Sequence, residues 1–241
     1  MSTYAMSDIH GQQTAFNHML RKIKFNDKDK LYLLGDYVDW GTNSMDLIQQ
    51  IIQMQDTNFD IECLMGNHDL MMYKTIQTDF ENIADVYFDY NFQVWQSNRG
   101  DETLQQYLQL NKEERAKIKK WISELRYFIP DVEVNGQKFY LCHSKPFVRG
   151  MSLEDVVWDR IEKGRLPRQF KDKYSDAILI SGHTIVSNYG SIDENGKCKI
   201  YKDKTVKYIN IDCGAKGLGI WKEYRLACLR LDDMSEFYVG N

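Results

Sequence analysis

The sequence predicts an α/β fold with a second, β-rich sheet packed on the first. Three observations predict it. Short runs rich in Tyr, Ile, Val and Leu alternate with helical stripes early in the chain, a long helical stretch interrupts the middle, and the remainder turns β-rich. A length of 241 residues with 43% hydrophobic content supplies a continuous core without room for two full domains. The expected organisation is one domain over 1–241, with a helical cap inserted at about 70–128.

The elements follow in order. Thr3 to Met6 is a short apolar run that suits a buried strand, as are Lys30 to Leu34 and Asp60 to Leu64. Between them, Phe16, Met19, Leu20 and Ile23 mark one face of a helix over Thr14 to Ile23. Leu47, Ile48, Ile51 and Ile52 do the same over Ser44 to Met54. In the middle stretch Asn111 and Glu114 have the spacing of a capping box, and Ile118, Trp121, Ile122 and Leu125 form one apolar face. Trp95 and Trp121 are expected to be core. Lys138 to Cys142 and Ala177 to Ser181 read as strands. Asp193-Glu194-Asn195-Gly196 reads as a turn between strand-like stretches, and Lys207 to Ile211 and Arg225 to Leu231 complete a second sheet packed on the first. Gly214-Ala215-Lys216-Gly217-Leu218-Gly219 has the glycine density of a phosphate loop but not its spacing, and reads as an ordinary turn.

Composition excludes several classes of function. A formal net charge of -4 and a pI near 5.8 give no general attraction to nucleic acid or anionic membranes, so any attraction for phosphate must be local. No apolar run approaches the roughly 20 residues needed to span a bilayer. Met1 to Met6 leads straight into the first motif without the pattern of a secretory leader. The five cysteines are odd in number and lack C-x-x-C spacing, which suits buried reduced thiols in the cytoplasm.

The chemistry-bearing residues collect at the ends of the predicted strands. Five clusters do this: Ser7-Asp8-Ile9-His10-Gly11, Gly35-Asp36-Tyr37-Val38-Asp39, Gly66-Asn67-His68-Asp69, His143 after Tyr140-Leu141-Cys142, and Gly182-His183-Thr184. Four of the five histidines lie in them. Taken singly, Asp36 would suit a turn, Asn67 a helix cap, and His143 or His183 a satisfied core imidazole. Their recurrence at one structural position points instead to an active site.

In order, the clusters resemble D-x-H-G, G-D-x-x-D-R-G, G-N-H-E, H and G-H-T, the signature of the phosphoprotein phosphatase family of calcineurin-like dinuclear metallophosphoesterases. The resemblance runs from Asp8 to about Leu231. It implies a four-layer sandwich of two mixed β-sheets flanked by helices, with two metal ions. Asp8, His10 and Asp36 would hold one ion and Asp36, Asn67, His143 and His183 the other, with Asp36 bridging. An all oxygen and imidazole donor set suits manganese, iron or zinc without choosing among them, and manganese is the expected metal. Such a centre would make a shared water acidic enough to attack phosphorus in line, and its surplus positive charge would draw phosphate to an acidic protein. His68 matches the family's histidine that protonates the departing alkoxide, and Asp39 the carboxylate that orients it.

Two positions depart from the family pattern. Asp69 stands for the Glu of G-N-H-E, a mild change. Trp40 stands where the pattern has Arg, which removes a bidentate phosphate donor. Arg160, in Val157-Trp158-Asp159-Arg160-Ile161, matches a segment supplying another phosphate-binding arginine. Arg99 falls where bacterial members often carry an Asn-Gly-Gly loop and would replace the lost guanidinium.

The expected function is phosphomonoester hydrolysis, as in serine/threonine phosphoprotein phosphatases, acting on a phosphorylated protein or a small phosphoester. The alternative is symmetrical hydrolysis of a dinucleoside tetraphosphate, for which the Trp40 indole could stack a base. A third reading is a phosphate-binding module with impaired catalysis, which the retained His68 and Asp39 oppose.

Overall fold

The computed structural model describes residues 1–78 and 83–240. Strand β1 (Thr3–Met6), helix α1 (Gln13–Lys22), β2 (Lys30–Leu33), α2 (Ser44–Asp56) and β3 (Asp60–Cys63) realise the predicted alternation. The helices α3 (Asn67–Thr75), α4 (Ile83–Val86), α5 (Tyr90–Ser97), α6 (Asp101–Gln109) and α7 (Lys112–Ser123) form the insertion, of which 79–82 lie outside the described residues. Then come β4 (Phe128–Val134), β5 (Gln137–Cys142), α8 (Leu153–Trp158), α9 (Arg168–Lys173) and β6 (Ile178–Ser181). The chain closes with β7 (Tyr201–Lys202), β8 (Tyr208–Asn210), β9 (Leu226–Arg230) and β10 (Glu236–Val239).

The strands form two mixed sheets in the orders β10-β9-β1-β2-β3 and β4-β5-β6-β8-β7. β1, β2 and β3 run parallel, as do β5, β6 and β8, while β4, β7, β9 and β10 pair antiparallel with their neighbours. Residues alternate between the two faces of a strand, and the first sheet uses both. Tyr4, Met6, Leu31, Leu33, Leu226 and Cys228 pack with the stripes of α1 and α2 and with Trp95, Leu104 and Ile122 of the insertion. The intervening Ala5, Tyr32, Ala227 and Leu229 pack instead with Leu141, Leu179, Ile180 and Ile209 of the second sheet. Layering therefore follows from the two-residue period of β1, β2 and β9.

Reciprocal side-chain caps open α7 and α8. Asn111 accepts the Glu114 N–H at 3.0 Å and Glu114 accepts the Asn111 N–H at 2.9 Å; Ser152 and Asp155 repeat the arrangement on α8. All five cysteines are buried and free.

The structure corrects three expectations. Helical structure in the insertion ends at Ser123, and Phe128 opens β4, an edge strand whose pairing with β5 is broken by an irregularity between Ile129 and Val132. Pro130 within the irregularity hides the strand from pattern reading, because proline cannot donate to a ladder. Among the described residues, the stretches beside the Asp193 turn meet only in the isolated Ile192–Cys198 bridge. β10 was not foreseen; its residues are all half-buried at the open edge of the first sheet.

Candidate active site

Parallel strands deliver their carboxyl ends to one edge, and the predicted clusters begin there. Asp8 follows β1, Asp36 follows β2, Asn67 follows β3, His143 directly follows Cys142 of β5, and His183 follows β6. The turns are tight enough to put non-glycine residues in the left-handed region: Asp8, His10, Asp36, Asp39, Trp40 and His183 all have positive φ. Strain of this kind persists only where surrounding contacts over-determine it.

The side chains gather around Oδ2 of Asp36. Its Oδ2 lies 3.5 Å from Nε2 of His10 and 3.5 Å from Nε2 of His143. The Asn67 Oδ1 lies 3.1 Å from Nε2 of His143 and 2.8 Å from Nδ1 of His183. Donor atoms about 2.1 Å from one cation sit about 3.0 to 3.5 Å from one another in octahedral or tetrahedral arrangements, so these spacings have the dimensions of coordination edges. Nδ1 of His10 faces the Val38 carbonyl at 2.8 Å and Nδ1 of His143 faces the Leu34 carbonyl at 2.8 Å, which leaves each Nε2 free of its proton to act as a ligand. Nε2 of His183 is buried without a hydrogen-bond partner. The donor set fits a pair of cations. His68 is also within reach of His10 and Asp36, but its Nδ1 is held elsewhere.

Asp8 stands beside these donors. Its carboxylate accepts the Ser7 hydroxyl and, at 3.0 and 3.1 Å, the His183 N–H, which ties β1 of one sheet to the loop after β6 of the other. Burial and the neighbouring Asp212 carboxylate push the Asp8 pKa well up, and burial with Asp69 does the same to Asp36. Dications would reverse both shifts by direct attraction. Asn210 of β8 fixes the same loop by donating to the carbonyls of Gly182 and Thr184, each at 3.0 Å. Asp69 accepts the N–H groups of Asp36, Tyr37 and Gly66 at 2.7, 2.9 and 2.9 Å, so the carboxylate at this variant position locks two clusters together.

Close approach dictates Gly182. A Cβ there would lie 2.0 Å from Oδ2 of Asp8 and 2.1 Å from Oγ of Ser7. Gly182→Ala is expected to weaken manganese binding by about 10- to 100-fold, the cost of displacing groups that orient ligands, while the far-UV circular dichroism is retained. Unchanged affinity in a calorimetric titration would contradict this placement of Asp8.

The second constellation is the His68–Asp39 pair. Nδ1 of His68 lies 2.6 Å from Oδ2 of Asp39. That oxygen also accepts the Trp95 indole N–H at 2.8 Å, and Oδ1 accepts the Thr103 hydroxyl at 2.7 Å. Burial pushes the Asp39 carboxyl up to about 7, against the pull of these two donors, and pushes the His68 imidazole down to about 3, with Lys216 and His143 adding to the effect. Both directions disfavour separate charges. The neutral pair and the ion pair differ only in the position of one proton along the 2.6 Å contact, and either form keeps a proton on Nε2.

Sequence reasoning missed Trp95 and Thr103 as partners of Asp39. Trp95 is fully buried, as expected of core, yet its polar edge serves the site. Asp212 and Asn210 were also missed. Of the residues expected to meet substrate, Arg160 donates through Nη1 to the Thr184 hydroxyl at 2.9 Å, so it sits beside His183. The Arg99 guanidinium lies 5.4 Å from the Trp40 ring centroid and the Lys216 ammonium 5.2 Å from it. The expected ordinary turn therefore carries a cation into the site.

The family model for calcineurin-like phosphoesterases matches residues 1–212. The chain is a calcineurin-like phosphoesterase. The phosphoesterase is 36% identical over 90 residues to the symmetrical bis(5'-nucleosyl)-tetraphosphatase of Buchnera aphidicola subsp. Acyrthosiphon pisum (strain Tuc7), over 37% of this chain and 32% of that protein. It thus spans about a third of that relative's length in the match. In fold it is similar to a candidate diadenosine tetraphosphatase, with a TM-score of 0.63 at 15% identity, covering 99% of this chain and 93% of the other. It is also similar to the cold-active protein tyrosine phosphatase of a psychrophile Shewanella species, with a TM-score of 0.57 at 15% identity over 99% and 80% of the two chains. The two mixed five-stranded sheets with their helices match the fold of these solved structures. Among the described residues, no helix is long and apolar enough to cross a membrane.

Proposed function

We propose that this phosphoesterase splits dinucleoside tetraphosphates symmetrically, releasing two nucleoside diphosphates. The observation that carries the reading is the 36% identity, over 90 residues, to a protein named for that activity. This favours the second of the two activities expected from sequence over phosphoprotein hydrolysis.

Asp8, His10, Asp36, Asn67, His143 and His183 would hold two cations, with manganese as the proposed pair and iron or zinc as alternatives. Bound there, the ions would acidify water for in-line attack and neutralise charge on the phosphoryl oxygens. Asp36 places its carboxylate between His10 and His143, and Asn67 sets the spacing of His143 and His183. Arg160 would meet a phosphoryl oxygen beside His183. His68, held through Nδ1 by Asp39, would present its Nε2 proton to the departing oxygen.

That acid pair favours phosphomonoesters as the second reading, since an alkoxide needs a proton on departure and a nucleoside diphosphate scarcely does. Manganese-loaded protein offered diadenosine tetraphosphate and a phosphoserine peptide side by side decides between them. Adenosine diphosphate as sole product, formed faster than phosphate from the peptide, is the expected result. The reverse order of rates, or paired mono- and triphosphate products, would overturn it.

A further inference from the structure

The two ends of the site carry different cations. Arg160 stands at the His183 end, bonded to Thr184. At the other end, Trp40 follows Asp39, the residue that holds the proposed acid His68, and the Trp40 ring is flanked by Lys216 and Arg99 at 5.2 and 5.4 Å.

Two cations on one indole repel each other, and each cation–π contact returns only about 0.5 to 1 kcal/mol at an exposed site. Among the described residues neither forms an ion pair; Asp212 faces Lys216 at longer range. The arrangement is nevertheless built. Trp40 and Arg99 both hold left-handed φ, at 67° and 74°. Lys216 sits in the short Ala215–Gly217 turn, where a Cβ on Gly217 would lie 2.3 Å from Tyr224 and 2.4 Å from Trp221, so only glycine lets the turn pack on that aromatic wall. An anion placed between the cations relieves their repulsion. A base stacked on Trp40 would instead have to compete with both for the ring.

We propose that Lys216 and Arg99, gathered on Trp40, clamp a phosphate on the leaving side of the scissile bond, so that the site selects leaving groups carrying a phosphate of their own. This rests on the tetraphosphatase reading and specifies its selectivity. The Trp40 substitution then does not merely delete a cation; it moves phosphate binding from the attacked group to the departing one. In the reaction, a water oxygen bonds to the attacked phosphorus and the bond from that phosphorus to the bridging oxygen breaks. The bridging oxygen leaves with the other nucleoside diphosphate, and the water hydrogens end as protons on the product phosphates or in solvent. Lys216 and Arg99 balance the charge that grows on the leaving half. An alcohol leaving group gives them nothing to bind.

The test measures kcat/KM of wild type, Lys216→Ala, Lys216→Arg and Trp40→Phe on diadenosine tetraphosphate and on p-nitrophenyl phosphate, with adenosine diphosphate binding followed by tryptophan fluorescence or calorimetry. The selectivity ratio of the two substrates should fall about 10- to 100-fold in Lys216→Ala, the scale of a lost charged hydrogen bond, and recover in Lys216→Arg. Adenosine diphosphate affinity should weaken about 10-fold in the alanine variant. An unchanged ratio, whether both activities fall together or neither does, overturns the clamp. If wild type turns over the aryl phosphate but not the tetraphosphate, the tetraphosphatase reading fails. The clamp then stands or falls on adenosine diphosphate binding, and equal affinity in wild type and Lys216→Ala overturns it. Melting curves exclude misfolding as the cause.

Discussion

Asp36→Asn is expected to remove at least one metal ion and to lower kcat/KM by at least about 10³-fold, or ~4 kcal/mol of barrier. Asn nearly preserves the shape of Asp, and its carbonyl can still accept the His68 N–H, which meets Oδ1 at 3.0 Å. What changes is the other atom. Oδ2, 3.5 Å from both His10 and His143, becomes an amide whose hydrogens point at a proposed cation position. The same substitution should stabilise the metal-free protein. Asp36 is buried near Asp69, Asp39 and Asp212, and burial with these charges raises its pKa well above the ordinary carboxylate value. An acid whose folded-state pKa is raised loses its proton first in the unfolded chain. Metal-free wild type should therefore lose stability as pH rises above about 4, the unfolded value, and that slope should be shallower in Asp36→Asn. Metal analysis beside melting curves at several pH values checks both halves. Retention of two ions in the variant would remove Asp36 from the bridging position.

His68→Asn should show the complementary pattern, with metal content kept and turnover lost. A positioned general acid contributes about 10²- to 10⁴-fold, and the loss should grow as the leaving group becomes more basic. An alkyl phosphate should therefore lose more than p-nitrophenyl phosphate, whose phenolate departs unaided. Trp95→Phe separates positioning from catalysis. It removes the 2.8 Å hydrogen bond to Asp39 and should push that carboxyl above its value of about 7, because a donor to the charged form is gone. The pH profile of kcat should shift with it, at a cost of about 10-fold in rate, on the scale of one charge-assisted hydrogen bond. Equal losses across leaving groups in His68→Asn, or loss of both ions, would mean that His68 acts as a ligand.

The missed elements and residues share a cause. β4 escaped because Pro130 and the irregularity beside it break the strand pattern, and β10 because its half-buried residues belong to the open edge of a sheet. Asp39 meets Trp95 and Thr103 across 56 and 64 residues of chain, contacts that no local period records.

The sequence by itself determined the α/β alternation, the burial of the cysteines and the set of strand-end residues. Those signals are local: period two, period 3.6, and metal-ligand residue types directly after apolar runs. Only the tertiary structure decided which residues serve that set. Trp95 becomes a donor to Asp39, Asn210 a brace for the His183 loop, Asp69 a lock between two clusters, and Lys216 a partner of Trp40. The physical reason is that a hydrogen bond or a cation–π contact depends on the direction of a side chain after distant segments have packed. Residue type and spacing along the chain do not carry that direction.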